Sequence, residues 1–309
     1  MFPTKSTPWQ HEQRPLLPAF AVVALLSISA VGANGQQARL ETLRIGASGT
    51  LTGNADDPKE KAGLKTLRRF IKDETGMDSD IIGQLSWQTL ADKMAKGELH
   101  LAFFQGYEFA WAQEKYADLK PLSIAVNLDR YPVACVLARR DNPAKDFAGL
   151  RKQSLALPAT SHGFLRLFVD RQSEAGGKKA EEYFSRITTP DNVEDAIDDV
   201  IDGKVQAAVV DRAALEAYQR RKPGRFKRLK EVTRSQPFPP AVVVYYGSAL
   251  DQATLRRFKD GLLGAARKEK GQTLLTLSRL TGFEPVPDDL GRTLARTRRA
   301  YPPILTKTD

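Results

Sequence analysis

Leu155-Ala156-Leu157-Pro158-Ala159-Thr160-Ser161-His162-Gly163 is a short apolar run that continues into a hydroxyl-rich turn, after which helical periodicity begins at Phe164. This order predicts a strand, a turn and a helix, the repeating unit of an α/β fold. The backbone N–H groups of such a turn, the helix dipole and the hydroxyls of Thr160 and Ser161 suit a small oxyanion. The alternative is an ordinary Ser/Thr helix cap, which is a common feature.

Upstream of this segment, short apolar runs alternate with amphipathic helical stretches. The patterns predict strands at 43–47, 80–85 and 99–104, and helices at 64–71, 87–95 and 107–116. This βαβαβα order implies a parallel sheet with its ligand crevice beyond the carboxyl ends of the strands. The candidate ligand-binding residues near those ends are Thr50, Trp87, Gln105 and Tyr107. The alternative for Thr50 is that its hydroxyl is simply solvated. The alternative for Trp87, Gln105 and Tyr107 is that they pack in the core.

Downstream the pattern restarts, which predicts a second lobe. Strands are predicted at 133–138, 154–157, 206–210 and 241–246, and helices from 164 and at 193–201, 212–221 and 253–268. Asp211 ends a strand at the predicted crevice, where it either binds an amine or hydroxyl of a ligand or caps the next helix.

The domain organisation predicted from this restart has two lobes. Residues 40–127 plus 251–309 form the first lobe and 128–250 the second, with hinge strands near 127–131 and 248–252. The C-terminal tail, rich in Pro and Arg, is expected to wrap the surface.

The N-terminal residues have the features of a targeting segment. Lys5 and Arg14 precede an uncharged apolar run at 18–32 and small residues at 33–35. This predicts a secretory signal peptide over 1–35 and a periplasmic or otherwise extracytoplasmic location. The run is shorter than the ~20 apolar residues that span a bilayer, so a retained anchor is the weaker alternative.

Cysteine and histidine usage argues against metal, disulfide and enzyme chemistry. Cys135 is the single cysteine and the three histidines are scattered, so we expect no metal site and no cofactor. Cys135 is expected to be a small core residue. No Ser/His/Asp triad has a recognisable spacing and no G-x-G-x-x-G loop follows the first strand. We therefore predict a protein that is not an enzyme and has no catalytic residues.

The net charge of +10 is spread along the chain but peaks at Arg220–Lys230 and Arg292–Arg299. Such runs can bind nucleic acid or anionic membranes. The first run, however, contains a Pro-Gly turn and lacks the interleaved aromatic residues of a single-strand binder. A solvated basic surface is the favoured interpretation, and no nucleic-acid partner is expected.

Five pieces of sequence, read in order, carry a family resemblance. They are Leu43-Arg44-Ile45-Gly46, the strand 97–104 with His100 where Asp is usual, the segment 146–156, Thr160-Ser161-His162-Gly163, and the strand 203–211. Over about residues 43–270 the chain resembles the type 2 periplasmic solute-binding proteins, in the phosphate/phosphite/phosphonate-binding branch. Phe109 and Trp87 stand near positions where this family has tyrosines.

The resemblance implies a two-lobed α/β fold of the type 2 periplasmic binding protein class, with mixed, mostly parallel sheets and a hinge of two crossover strands. It implies the extracytoplasmic solute-binding component of an ABC uptake system, a monomer that delivers to a membrane permease. The implied ligand is a small phosphate- or phosphonate-like anionic solute held between closing lobes by Thr160, Ser161 and His162. The alternative function is a ligand-sensing or scaffold protein of the same fold that docks an acidic partner through Arg220–Lys230.

Overall fold

The computed structural model describes residues 40–49, 51, 58–159, 162–247 and 249–303, which form two β-sheets flanked by helices. The elements up to the second sheet are β1 (Thr42–Ser48), α1 (Pro58–Thr75), β2 (Asp78–Leu85), α2 (Trp87–Ala95), β3 (Leu101–Phe104), α3 (Gly106–Lys115) and β4 (Leu119–Val126). The second sheet and its helices follow as β5 (Ala134–Arg139), β6 (Ser154–Ala156), α4 (Gly163–Ala175), α5 (Ala180–Tyr183), β7 (Arg186–Thr188), α6 (Val193–Ile201), β8 (Ala207–Asp211), α7 (Arg212–Arg221), α8 (Pro223–Phe226) and β9 (Leu229–Arg234). The chain ends with β10 (Ala241–Tyr246), α9 (Gln252–Gly264), α10 (Glu269–Leu277), β11 (Gly282–Glu284) and α11 (Leu290–Ala300).

The first sheet has the strand order β11-β4-β10-β3-β1-β2. Strand β1 runs parallel to β2 and β3, as the βαβαβα pattern predicts. Strand β10 is antiparallel to both β3 and β4, and β11 is antiparallel to β4. The sheet is therefore mixed, with a parallel half built from local units and an antiparallel half completed by the returning chain.

The second sheet has the order β7-β6-β8-β5-β9. Strand β6 is parallel to β7 and β8, whereas β5 is antiparallel to β8 and β9. We call each sheet, with the helices that pack on it, a lobe. The carboxyl ends of β6 and β8 lie side by side, which brings the segment after Ala156 close to Asp211.

The chain passes between the lobes at 127–133 and again at 235–240. The first crossing coincides with the predicted hinge at 127–131. The second does not lie at 248–252, and the second lobe does not extend to residue 250, because Ala241–Tyr246 pairs within the first sheet: Val243 lies opposite both Phe103 and Ser123. An apolar run predicts a buried strand but not the sheet that the strand joins.

The C-terminal segment folds as a helix rather than wrapping the surface. Leu290 and Leu294, one turn apart, bury one face of α11, which packs against α3. Beyond the helix, Tyr301 is buried and its carbonyl accepts a 2.7 Å hydrogen bond from Trp111 Nε1. The apolar spacing in this Arg-rich segment is that of an amphipathic helix.

An aromatic cluster joins the two lobes, which we call the aromatic seam; its members are Tyr107, Trp111, Phe164, Phe238 and Tyr301. Ring centroids are 4.6 Å apart for Phe238 and Tyr301 and 5.3 Å apart for Phe164 and Phe238. Because Phe238 belongs to the second crossing, the seam packs both lobes against the connection between them.

Two other expectations concern Cys135 and the N-terminus. Cys135 is free and buried in β5, as expected for a core residue, and burial raises the pKa of its thiol to about 12. The predicted signal peptide, 1–35, lies outside the described residues. Within the described ranges, no helix is both long and apolar enough to cross a membrane.

Candidate functional site

The second-lobe side of the site is the N-terminus of α4. The turn before it is anchored by hydrogen bonds from Leu157 N to Thr188 O (2.9 Å) and from Ala159 N to Pro190 O (2.8 Å). His162 occupies the N-cap in extended geometry, and within the described part of the chain no side chain caps this terminus. Strand, turn and helix therefore direct the first-turn N–H groups of α4 to one point, a favourable location for an anion.

Thr160 and Ser161 lie outside the described residues, as does Thr50 in the loop after β1. Their positions in the sequence, directly before His162 and directly after Gly49, remain the basis of their assignment as ligand-binding residues. All three assignments stay predictions.

His162 and Asp211 lie close enough that each shifts the pKa of the other. Desolvation lowers the pKa of His162, and the Asp211 carboxylate partly opposes that shift. Desolvation also raises the pKa of Asp211, whereas the hydrogen bond from Ala213 N (2.7 Å) and the charge of His162 lower it. The Asp211 side chain thus caps α7, one of its two predicted roles, while its role towards a ligand stays a prediction.

Three further charged groups surround this pair, and the sequence analysis missed them. Arg212 donates from Nε to Asp129 Oδ2 at 3.0 Å, which ties the start of α7 to the first crossing. Arg279, beyond α10 in the first lobe, is close enough to lower the pKa of His162. These contacts join residues far apart in the chain, so no local sequence pattern could have revealed them.

The first-lobe side is the N-terminus of α3. Gln105 is its buried N-cap in a capping box with Glu108, whose Oε2 accepts from Gln105 N at 3.3 Å. Gly106 presses against the second crossing, and a Cβ built on it would lie 2.2 Å from the carbonyl oxygen of Pro239. Tyr107 is buried edge-on against Trp111 at 5.0 Å. Capping and packing therefore hold both Gln105 and Tyr107.

Trp87, at the start of α2, has its ring centroid 5.8 Å from that of Trp111. The side chain is half-buried against two core clusters, so it packs and also keeps some exposed surface. Phe109 is fully buried against Phe104. A hydroxyl at position 109 would therefore point into the core of the first lobe.

Three cations of the basic run Arg220–Lys230 pair with carboxylates of α6 and of Asp202, which follows that helix. Lys222 Nζ lies 2.6 Å from Glu194 and 2.8 Å from Asp198, and Arg225 contacts Asp198 and Asp202 at 2.8 Å. Arg221 pairs with Glu194 at 2.7 Å. These pairs lower the net charge of the surface, while Arg220, Lys227 and Arg228 stay exposed.

Taken together, the geometry suits binding of an anion. A helix N-terminus and a titratable imidazole lie on one side of the site, and an exposed cation, Arg279, lies on the other. Among the described residues, no group of three or more His, Cys, Asp or Glu side chains has the arrangement of a metal site.

Comparison by sequence gives one family match. A family model described as the periplasmic substrate-binding protein of phosphonate ABC transporters matches residues 52–290. No curated protein matches the chain.

Solved structures share the fold at low identity. XAC2383 from Xanthomonas citri, in its chloride-bound structure, has a TM-score of 0.59 at 18% identity, covering 85% of this chain and 98% of that one. PhnD1 from Prochlorococcus marinus, solved with methylphosphonate, has a TM-score of 0.57 at 12% identity, covering 84% and 97%. A binding protein component of an ABC phosphonate transporter from Pseudomonas aeruginosa has a TM-score of 0.53 at 14% identity, covering 84% and 87%. These likenesses establish the two-lobed periplasmic binding protein fold.

Proposed function

The chain belongs to the family of periplasmic substrate-binding proteins of phosphonate ABC transporters, and from this we propose that it binds a small phosphate- or phosphonate-like oxyanion between its two lobes. Thr160, Ser161, His162 and the first N–H groups of α4 form the anion seat in the second lobe. Arg279 faces that seat from the first lobe. Asp211 orients the imidazole and is available to a hydroxyl or amine of the bound solute.

One observation carries this proposal: the N-terminus of α4 has no capping side chain among the described residues, and His162 and Arg279 lie together beside it. An anion held there would accept hydrogen bonds from backbone N–H groups and gain from the helix dipole. Methylphosphonate, the ligand in the structure of PhnD1 from Prochlorococcus marinus, is of the same chemical class.

The family gives this proposal its cellular setting. Its members are binding components of transporters, and we propose that this chain delivers its solute to a membrane permease without chemical conversion. We further propose export through a signal peptide at 1–35 and action as a monomer in the periplasm. Trp87, Gln105, Tyr107 and Thr50 are assigned to the first-lobe wall of the site.

The alternative, an acidic partner docked on Arg220–Lys230, is less favoured because Arg221, Lys222 and Arg225 pair with carboxylates of α6 and Asp202. Exposed ion pairs contribute little to stability, but they reduce the free charge that such a docking surface needs.

A thermal-shift panel tests the ligand class. Phosphate, phosphite, methylphosphonate, an alkylsulfonate and neutral and cationic solutes are compared on the mature protein. A ligand present at about 100 times its Kd should raise Tm by roughly 5–10 °C. A response to neutral or cationic solutes, together with no response to any oxyanion, would contradict the proposal.

Two substitutions test the anion seat. Thr160→Ala and Ser161→Ala each remove a donor to an anion, and charge-assisted hydrogen bonds of this kind are worth about 1.5–3 kcal/mol. Each should weaken binding about tenfold or more by calorimetry. Thr276→Ala is the control, because that exposed hydroxyl on α10 bonds only within its own helix, to Gln272 O at 2.8 Å. Equal affinity in all three variants would mean that the anion does not bind at this turn.

A further inference from the structure

A cleft of about 390 Å³ opens where the two crossings meet α11. We call it the hinge cleft; it is lined by Tyr131, Pro237, Asp289, Arg292, Thr293 and Arg296. It shares no residue with the candidate solute site. Tyr131 is on the first crossing and Pro237 on the second, so the cleft is walled by both connections between the lobes.

The cationic side of the hinge cleft belongs to α11. This helix contains Arg292, Arg296, Arg298 and Arg299 and no acidic residue. Arg292, Arg296 and Arg299 are exposed, and they are separated by four and three positions, so they form a stripe along one face. One of them, Arg296, donates to Pro237 O at 3.4 Å. None of the three forms an ion pair with any described residue.

The single acidic group of the cleft is already engaged. Asp289 accepts a hydrogen bond from the hydroxyl of Tyr131, and desolvation together with this contact raises the pKa of that phenol to about 12. Thr293 bonds within its own helix, to Asp289 O at 3.3 Å. Arg220–Lys230 differs in this respect: three of its cations pair with carboxylates of α6 and Asp202, whereas the three exposed arginines of α11 form no ion pair with a described residue.

We propose that the Arg292–Arg296–Arg299 stripe and the hinge cleft dock an acidic, extended segment of a partner protein. The spacing of the arginines along the helix axis favours an extended segment as the partner. Arg292 and Arg296 are about 6 Å apart along the helix axis, close to the ~6.6 Å between alternate residues of an extended chain. The stripe reaches about 10 Å in total, longer than a single small anion. The concave shape of the cleft suits an inserted side chain better than a flat bilayer surface.

Binding of a labelled peptide of alternating Glu and Ser tests the proposal. Fluorescence anisotropy on the mature protein should detect binding at low ionic strength that weakens as salt rises, because exposed charges are screened within about 10 Å at 0.1 M. Arg292→Gln combined with Arg296→Gln should weaken it about fivefold or more, and Arg299→Gln alone by a smaller factor.

Lys65→Gln combined with Arg69→Gln is the matched control. These exposed cations are also one turn apart, on α1, and removing them lowers the net charge by the same amount. Retained binding in this control, with loss in the Arg292/Arg296 variant, supports the docking site. Equal loss of binding in both variants would overturn it. Binding of a neutral peptide of the same length, in which Gln replaces every Glu, would also overturn it. The proposal would also be overturned if the protein failed to bind the peptide but bound phosphatidylglycerol vesicles or inorganic phosphate in a way that requires Arg292.

Discussion

His162 and Asp211 make the electrostatics of the candidate site dependent on pH. The lowered pKa of His162 keeps its imidazole neutral at pH 7, while burial raises the pKa of Asp211. An ionised carboxylate beside an anion opposes binding. As pH falls, His162 gains a positive charge and Asp211 begins to lose its negative one, and both changes favour an anion.

Anion affinity should therefore rise as pH falls below about 6.5, because the pKa of His162 is lowered from that ordinary value. If the thermal-shift panel shows that an alkylsulfonate binds, that compound is the probe. It stays ionised over this pH range, so its own titration does not contribute. Calorimetry on the wild type and His162→Asn measures the effect, and the variant should have a much flatter profile. The same slope in both proteins would mean that another group is responsible.

His100 has a structural role at the edge of β1. Its Nδ1 accepts a hydrogen bond from Arg44 N at 3.0 Å, and His100 N donates to Arg44 O at 2.8 Å. Acceptance at Nδ1 requires that this nitrogen carries no proton. Desolvation and the charge of Arg44 accordingly lower the pKa of His100 from its ordinary value of 6.5.

This geometry predicts a loss of stability in acid. Because the folded-state pKa is lower than the unfolded one, the unfolded chain binds the proton more tightly, and the stabilisation is lost as pH falls below about 6.5. His100→Asn keeps an acceptor for Arg44 N but does not titrate. Urea unfolding at about pH 8 and pH 5 should show a wild-type advantage that shrinks or reverses in acid. A difference between the two proteins that is constant with pH would contradict this role.

Among the elements, those with strong local signals were predicted with their observed bounds. Helices Trp87–Ala95, Val193–Ile201 and Arg212–Arg221 follow the capping residues Ser86, Asn192 and Asp211, each of which accepts a hydrogen bond from its helix. The central strand Ala241–Tyr246 is an uninterrupted apolar and aromatic run. Caps and apolar runs are local, so the sequence alone identifies them.

Two of the elements that the sequence analysis missed, β9 and α11, depend on distant contacts. Strand β9, Leu229–Arg234, is largely polar and pairs only with β5 at an edge of its sheet. Helix α11 has few apolar residues and is held by α3. At the candidate site, His162 and Asp211 could be chosen from strand ends and turns. Arg279 and the Asp129–Arg212 ion pair could not, because each meets its partners only in the folded chain.

Helix α3 packs tightly against the second crossing at Gly106. A Cβ at Gly106 would lie 2.2 Å from Pro239 O and 2.3 Å from Pro240 O, both backbone atoms that cannot turn aside. Gly106→Ala should therefore destabilise the protein by about 1–3 kcal/mol in urea unfolding. Gly291→Ala is the control: it lies in α11 with nothing within 4 Å of the added Cβ, and should be neutral or stabilising. Equal free energies of unfolding for the two variants would mean that the second crossing can shift to accommodate the added Cβ without loss of stability.

The whole molecule is two lobes held together by two crossings and the aromatic seam. Phe238 connects Phe164 of the second lobe to Tyr301, and Trp111 of the first lobe bonds the Tyr301 carbonyl. The ion pair of Arg212 and Asp129 adds a polar link between the second lobe and the first crossing. Motion between the lobes must therefore occur about these links, with the N-termini of α3 and α4 on its two sides.

Closure requires an interaction that only the closed form satisfies, because a ligand shifts a conformational equilibrium by its differential affinity for the two states. In the proposed site, the α4 amides, Thr160, Ser161 and His162 all belong to the second lobe, whereas Arg279 belongs to the first. Arg279→Gln should leave the anion seat of the second lobe intact but remove much of the binding free energy that favours the closed form.

We expect Arg279→Gln to bind the oxyanion found by the thermal-shift panel about tenfold more weakly, a loss typical of one charge-assisted contact. The decrease in radius of gyration that the ligand causes in the wild type, measured by solution scattering at saturating ligand, should be smaller in the variant. Arg256→Gln on α9 removes the same charge from an exposed position and should behave as the wild type. If Arg279→Gln instead compacts fully at saturation with unchanged affinity, the first-lobe contact that drives closure lies elsewhere, and Trp87 and Thr50 become the residues to substitute next.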